Sequence, residues 1–179
     1  MHVGHPASMR NMSPRVFALL SSSICAFLAL PLRAEPAQEN LLVLDGTISI
    51  GCPEANKPVL SQTGAGGIRV TFEGESADEG SFMIYLRKTL TPPRALQTIE
   101  FQLQGTEKPM LVEVTTEDKK VAYTHVRPTG DEAIDLTRLN FKGTKEPFAG
   151  KVEKISIGVA VPRMAGEHSL DWETLKLGP

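Results

Sequence analysis

The chain has 179 residues, 41% hydrophobic and 22% charged, with a formal net charge of −2. That composition suits a globular protein with one good core and excludes a disordered or collagen-like chain. The weak negative charge argues against nucleic acid or an anionic membrane as a partner.

The first segment reads as an export signal. Met1 to Arg15 carries Arg10 and Arg15 and no acidic residue, Val16 to Leu30 is apolar with a few serines, and Pro31-Leu32-Arg33-Ala34 ends on a small residue. A basic region, an apolar run and a small-residue site are the order of a secretory signal peptide. The apolar run is shorter than the roughly 20 residues that a membrane span needs. The expectation is a signal peptide over residues 1–34, cleaved after Ala34, and a secreted or periplasmic product without a membrane span. Removing it takes Lys+Arg from 19 to 16 against 21 Asp+Glu, which leaves a domain near −5.

Of the two cysteines, Cys25 lies inside the leader and is followed by more apolar residues, so it does not resemble a lipoprotein acylation site. Cys52 then stands alone and forms no intramolecular disulfide. Gly51-Cys52-Pro53 offers no electropositive neighbour, so a buried, inert thiol is expected.

Residues 35–40 form a short polar tether, and the domain spans 41–177. Leu41 to Leu44 opens it and Asp45-Gly46 is a turn signal. Brief strands are expected at Thr47 to Ile50 and near Val59 to Ser61, then at Ile68 to Phe72 and Ser81 to Arg87. Between the last two lies an acidic loop containing Glu73, Glu75, Asp78 and Glu79. Thr91-Pro92-Pro93 is expected to break the chain. From Ile99 to Arg127, three runs alternate apolar and polar residues, with Ile99, Phe101 and Leu103 setting the phase. A period of two marks a half-buried strand, and the stretch predicts an antiparallel meander with one wet face. A strand at Ala133 to Leu136, a strong one at Val152 to Val161 and a closing one at Ser169 to Leu177 complete the pass. No sustained helical period occurs. Eight to ten short strands predict an all-β, antiparallel β-sandwich.

The order of these runs resembles a known group. Leu96 to Gly105 has the form L-x-x-I-x-F-x-L-x-G, and Leu111 to Thr115 the form L-x-V-x-V. An aromatic strand at Val121 to Arg127 follows, then Ile134 to Phe141, Ile155 to Val161, and Leu170 to Leu177 with an internal Asp. This resembles the galactose-binding-domain-like jelly roll, the fold of many secreted carbohydrate-binding modules and of the complex I intermediate-associated proteins. The resemblance implies two facing antiparallel sheets and, in many members, sugar binding on a concave face or at loop tips. The sequence departs from that pattern in its few aromatics: one Trp and two Tyr, with Trp172 placed to be core.

Tyr123, His125 and Arg127 share one face of a strand, about 7 Å apart along it. A ring for stacking, an imidazole and a fork of donors suit a polyol or an anionic sugar. An ordinary solvated sheet face is the plainer account of the same residues. Tyr85, Arg87, Glu113 and Gln102 join the group if their strands are neighbours. Asp171 and Glu173, or the acidic loop, are the candidates for a structural calcium, although neither supplies the spaced ligands of a dedicated loop. His125 and His168 lack the spacing of a zinc set, and no G-x-S-x-G or nucleophile–base pair is present. No catalytic residue and no cofactor are assigned. The expected function is a monomeric, non-catalytic binding module with a glycan as ligand. The alternative is an assembly role with a protein partner in the cell envelope, and a small hydrolase comes third.

Overall fold

The structure, a computed structural model, describes residues 39–52, 58–74 and 80–179. The leader with its cleavage site and Cys25, most of the tether, Pro53, and the acidic-loop residues Glu75, Asp78 and Glu79 lie outside the described residues.

Ten strands form two five-stranded antiparallel sheets. In chain order they are β1 (Ile48–Gly51), β2 (Val59–Gln62), β3 (Ile68–Gly74), β4 (Ser81–Ala95), β5 (Thr98–Gln104), β6 (Met110–Thr116), β7 (Val121–Val126), β8 (Asp131–Asp135), β9 (Lys151–Pro162) and β10 (Gly166–Gly178). One sheet, here called the front, has the order β1-β4-β9-β6-β7, and the back sheet has β2-β3-β10-β5-β8. The only helical element among the described residues is a 3-10 turn at Leu136–Arg138, capped by the Asp135 side chain on the Thr137 amide. The all-β sandwich expected from the alternation is the fold observed.

The core lies between the sheets and follows the period of two. Ile155, Ile157, Val159 and Val161 of β9 face Ile68, Val70, Phe101, Leu170 and Trp172 of the back sheet, all buried. Each such side chain contributes about 1.5–3 kcal/mol on burial. A one-residue slip would turn the whole β9 set to solvent, so the register is strongly specified.

Two expectations need correction. The run from Ile99 to Arg127 is not a meander. β5 pairs with β10 and β8 in the back sheet, whereas β6 and β7 form a hairpin in the front sheet. Gly105, at φ +94°, begins the connection that carries the chain from one sheet to the other. Alternation reports which side chains face the core, and it is equally satisfied when consecutive strands lie in opposite sheets. Nor do Pro92 and Pro93 end a strand. β4 continues to Ala95, and its ladder with β9 is irregular between Thr89 and Arg94. The prolines fall inside that bulge, where no ladder hydrogen bond asks for their missing N–H groups.

A second bulge lies in β10, where Glu173 is skipped between the Trp172–Leu103 and Thr174–Gln102 pairs. Its carbonyl, freed from the ladder, accepts from Nδ2 of Asn40 at 3.0 Å. The same amide donates to the Gly66 carbonyl, while its Oδ1 accepts from the amides of Leu42 and Leu175. Asn40 thereby fastens the start of the domain to the middle of the back sheet. At the outer side of β7, Phe141 bridges Ala122, and the Lys142 amide donates to the Val121 carbonyl at 2.7 Å.

Candidate functional site

The outer face of the front sheet gathers the aromatic residues that sequence alternation singles out. Its strands place side chains in rows. One row crosses the sheet as Gly51, Tyr85, Gly158, Leu111 and His125. The next crosses as Ser49, Arg87, Ser156, Glu113 and Tyr123. Arg127 follows the last residue of β7 and is exposed. Tyr85, Arg87, Glu113, Tyr123 and His125 therefore share one face, with β9 standing between β4 and the β6–β7 hairpin. Gln102 does not: it belongs to β5 and faces outward from the back sheet, opposite Asp131 and Thr174.

Small residues of the central strand set the shape of this face. A Cβ at Gly158 would fall 2.5 Å from Cε1 and 2.8 Å from Cδ1 of Tyr85. The phenol ring therefore rests on the Gly158 backbone, with Met83 Cε beside it at 2.9 Å from the same point. A Cβ at Gly51 would fall 2.6 Å from Cζ of Arg87, so the guanidinium rests on that glycine in the same way. The guanidinium carbon is 5.7 Å from the Tyr85 ring centroid. Across the sheet, Tyr123 and His125 meet edge to face at 6.0 Å, and Nζ of Lys142 lies 5.9 Å from the Tyr123 centroid. The backbones of Tyr85 and His125 are three strand spacings apart, about 14 Å. A long molecule can thus meet one ring at each side of a floor made of Ser156, Gly158 and Ala160.

The sequence-based reading does not single out Gly51, Gly158, Lys142 or Ser156 as site residues. The signal for two of them is present in V-E-K-I-S-I-G-V-A-V: the positions alternating with the isoleucines and valines are small, which lets neighbouring rings lie flat.

The back sheet carries open hollows and has the opposite character. A hollow of about 410 Å³ is bordered by Arg69, Gln102, Asp171 and Glu173. Others of about 320 Å³ and 300 Å³ lie beside Glu100, Asp131 and Lys176, and beside Thr71, Glu73 and Glu167. Phe72, Phe101 and Trp172 border these hollows but are only 1–3% exposed, so their rings belong to the core and cannot stack a ligand. Asp171 and Glu173 are engaged within the sheet. Arg69 donates from Nε and Nη2 to the two Asp171 oxygens at 2.7 and 2.8 Å, and Gln104 donates to Glu173 at 2.6 Å. The Arg69 hydrogen bonds hold the Asp171 carboxyl below its usual range. A carboxylate already clamped by a guanidinium is a poor calcium ligand, and no group of three or more His, Cys, Asp or Glu fit to hold a metal occurs among the described residues. Cys52 is half-buried, and burial pushes its thiol up, away from the reactive thiolate.

The sandwich has a counterpart among solved structures. The fold is a two-sheet β-sandwich shared with a solved protein. A family 11 module from Clostridium thermocellum, solved with a β-1,3-1,4-mixed-linked tetrasaccharide, superposes with a TM-score of 0.52 at 10% identity, covering 78% of this chain and 92% of that one. This likeness shows a shared sandwich, consistent with the galactose-binding-like jelly roll. A mannan-recognising module, TmCBM27, aligns over 79% of this chain and 95% of its own at 9% identity and a TM-score of 0.44. The agarase AgWH50C aligns at 12% identity and a TM-score of 0.46, and the alignment spans 79% of this chain but only a quarter of the enzyme. No protein-family model matches the sequence, and no curated protein matches it. No helix among the described residues is long and apolar enough to cross a membrane.

Proposed function

We propose that the protein is a non-catalytic carbohydrate-binding module that takes its glycan on the outer face of the front sheet. The observation that carries the reading is the Tyr85 ring seated on Gly158, with Tyr123 and His125 across the same floor. Sugar rings have apolar faces that stack on aromatic rings and edges that need hydrogen-bond donors and acceptors. This face offers both, with Arg87, Glu113, Ser156 and His125 in rows around the two phenols. The solved family 11 module with its tetrasaccharide adds the support of a common fold. Fold alone does not fix function, so the weight rests on the residues.

In this reading residues 1–34 are a cleaved signal peptide, residues 41–177 the binding domain, and the product a monomer that works outside the cytoplasm. Tyr85, Arg87, Tyr123, His125 and Arg127 contact the ligand, and none of them performs chemistry.

The test is retention of the full chain on a panel of immobilised polysaccharides, neutral and acidic, followed by titration calorimetry with the best one. Tyr85→Ala and Tyr123→Ala should each weaken binding by about tenfold, since a stacked ring contributes up to about 1.5 kcal/mol beyond the area it buries. Retention on no polysaccharide, or affinity unchanged in both variants, overturns the proposal.

A further inference from the structure

The glycan-binding face differs from the rest of the molecule in charge. On the front sheet Arg87 and Lys154 point outward from the strands, Lys142 stands over Tyr123, and Arg127 follows β7. The one carboxylate in the rows between them is Glu113, on β6. Among the described residues Arg87, Arg127, Lys142 and Lys154 take part in no ion pair, and neither do Arg94, Lys108, Lys145, Lys151, Arg163 and Lys176; what sets the first four apart is that they gather around the two tyrosines of one face. The back sheet is the reverse. Glu73, Glu100, Asp131, Glu167, Asp171 and Glu173 line its outer face against Arg69 and Lys176, and Arg69 is already spent on Asp171.

On a chain whose formal charge is −2, the cations gathered around both tyrosines are hydrated when the face is empty and free to meet an anion. Arg87 and Lys142 are also each held against a ring, at 5.7 and 5.9 Å from the centroids of Tyr85 and Tyr123. A group on the edge of a sugar stacked on either phenol therefore falls within reach of a cation. We infer that the ligand is an anionic polysaccharide, with its carboxylates or sulfates met by Arg87 and Lys142 and its sugar rings stacked on Tyr85 and Tyr123. The inference rests on the carbohydrate-binding reading and deepens it. Arg87 fits a planar carboxylate or a sulfate through two parallel N–H groups. Lys142 acts as a point charge.

Two pairs of polymers that differ in charge on related backbones provide the test. Polygalacturonate and its fully methyl-esterified form isolate the carboxylate; κ-carrageenan and agarose isolate the sulfate. Affinities of the full chain are measured for all four, with a single-stranded oligonucleotide as a non-sugar polyanion. The expected result is at least tenfold preference for the charged member of one pair. That preference should fall about tenfold in Arg87→Gln or Lys142→Gln, which keep the fold by circular dichroism. It should also weaken as salt is raised from about 0.01 to 0.15 M, and be lost in Tyr85→Ala. Equal affinity within both pairs, or a preference for the neutral members, overturns the anionic assignment and leaves the carbohydrate-binding reading standing. Charged-polymer binding that ignores Arg87→Gln and Lys142→Gln, or an oligonucleotide bound as tightly, also overturns the assignment. Binding to none of the sugars ends both.

Discussion

The ring of Tyr85 occupies the space that a Cβ at residue 158 would need. A built Cβ lies 2.5 Å from its Cε1, closer than two carbons can approach. Gly158 sits in the interior of β9, where glycine weakens a strand by roughly 0.5–1 kcal/mol relative to alanine. Gly158→Ala should therefore leave stability unchanged or slightly raised, while the phenol is lifted off the floor and glycan affinity drops at least tenfold. Urea unfolding and calorimetric titration on the same sample separate the two effects. Affinity that survives with the fold intact contradicts the role given to the Tyr85 platform.

Trp172 is the sole tryptophan of the chain, is 1% exposed and belongs to β10 of the back sheet. Its emission should be blue-shifted, as for a buried indole. Saturating glycan bound on the front sheet should leave that emission nearly unchanged. Strong quenching or a shift on titration would relocate the site to the back sheet.

The Trp172 indole N–H has no hydrogen-bond partner among the described residues. A buried, unpaired donor costs about 1–3 kcal/mol, and phenylalanine removes it together with some packing. Trp172→Phe should consequently cost no more than about 1 kcal/mol, against about 3–5 kcal/mol for Trp172→Ala. Chemical denaturation of the two variants gives both numbers.

Asn40 spends its entire amide on the Gly66 and Glu173 carbonyls and on the Leu42 and Leu175 amides. Asn40→Ala leaves several of these groups unanswered and should lower stability by about 2 kcal/mol. The denaturation midpoint should fall and the slope stay constant. Asn40→Asp should be at least as harmful, because it aims a carboxylate oxygen at two carbonyls.

Hydrogen bonds from Arg69, then the guanidinium charge, hold the Asp171 carboxyl below its ordinary value. A lowered folded-state pKa contributes stability that is complete above the unfolded value near 3.9 and drains away as pH falls through the folded one. Asp171→Asn should lose that contribution at neutral pH, and the gap in melting temperature between it and the parent should narrow as the pH falls below the unfolded value and through the folded one. A gap that does not narrow under acid conditions in which the parent is still folded rules out the linkage.

Alternation in the sequence was enough to find nearly every strand and to sort inward from outward residues. Ile155, Ile157 and Val159 face in, and Tyr85, Arg87, Tyr123 and His125 face out, as their positions require. What alternation does not carry is pairing. Nothing in Ile99 to Thr115 tells that β5 and β6 part company at Gly105 and enter different sheets, and so Gln102 is grouped with the wrong face. Pairing depends on contacts between residues far apart in the chain, such as Gly158 with both Tyr85 and Leu111. The aromatic cluster is legible because its members are distinctive. Its floor is harder to see, since Gly158 and Ser156 matter for what they lack. Pro92 and Pro93 mislead for a related reason: a proline breaks a ladder only where the ladder needs its N–H, and a bulge removes that need.

One of the two edge strands of the front sheet, β7, is six residues long, and its free side meets Phe141 and the Lys142 amide at the Val121 end. A bare edge is a template on which another molecule can add a strand. Protein concentrated along a long polymer is crowded edge against edge, the circumstance in which such addition leads to fibres. The turn that presents Lys142 to the Tyr123 ring also guards that edge. The full chain should therefore stay dispersed at densities where a variant with residues 140–142 replaced by Gly-Ser-Gly begins to scatter light.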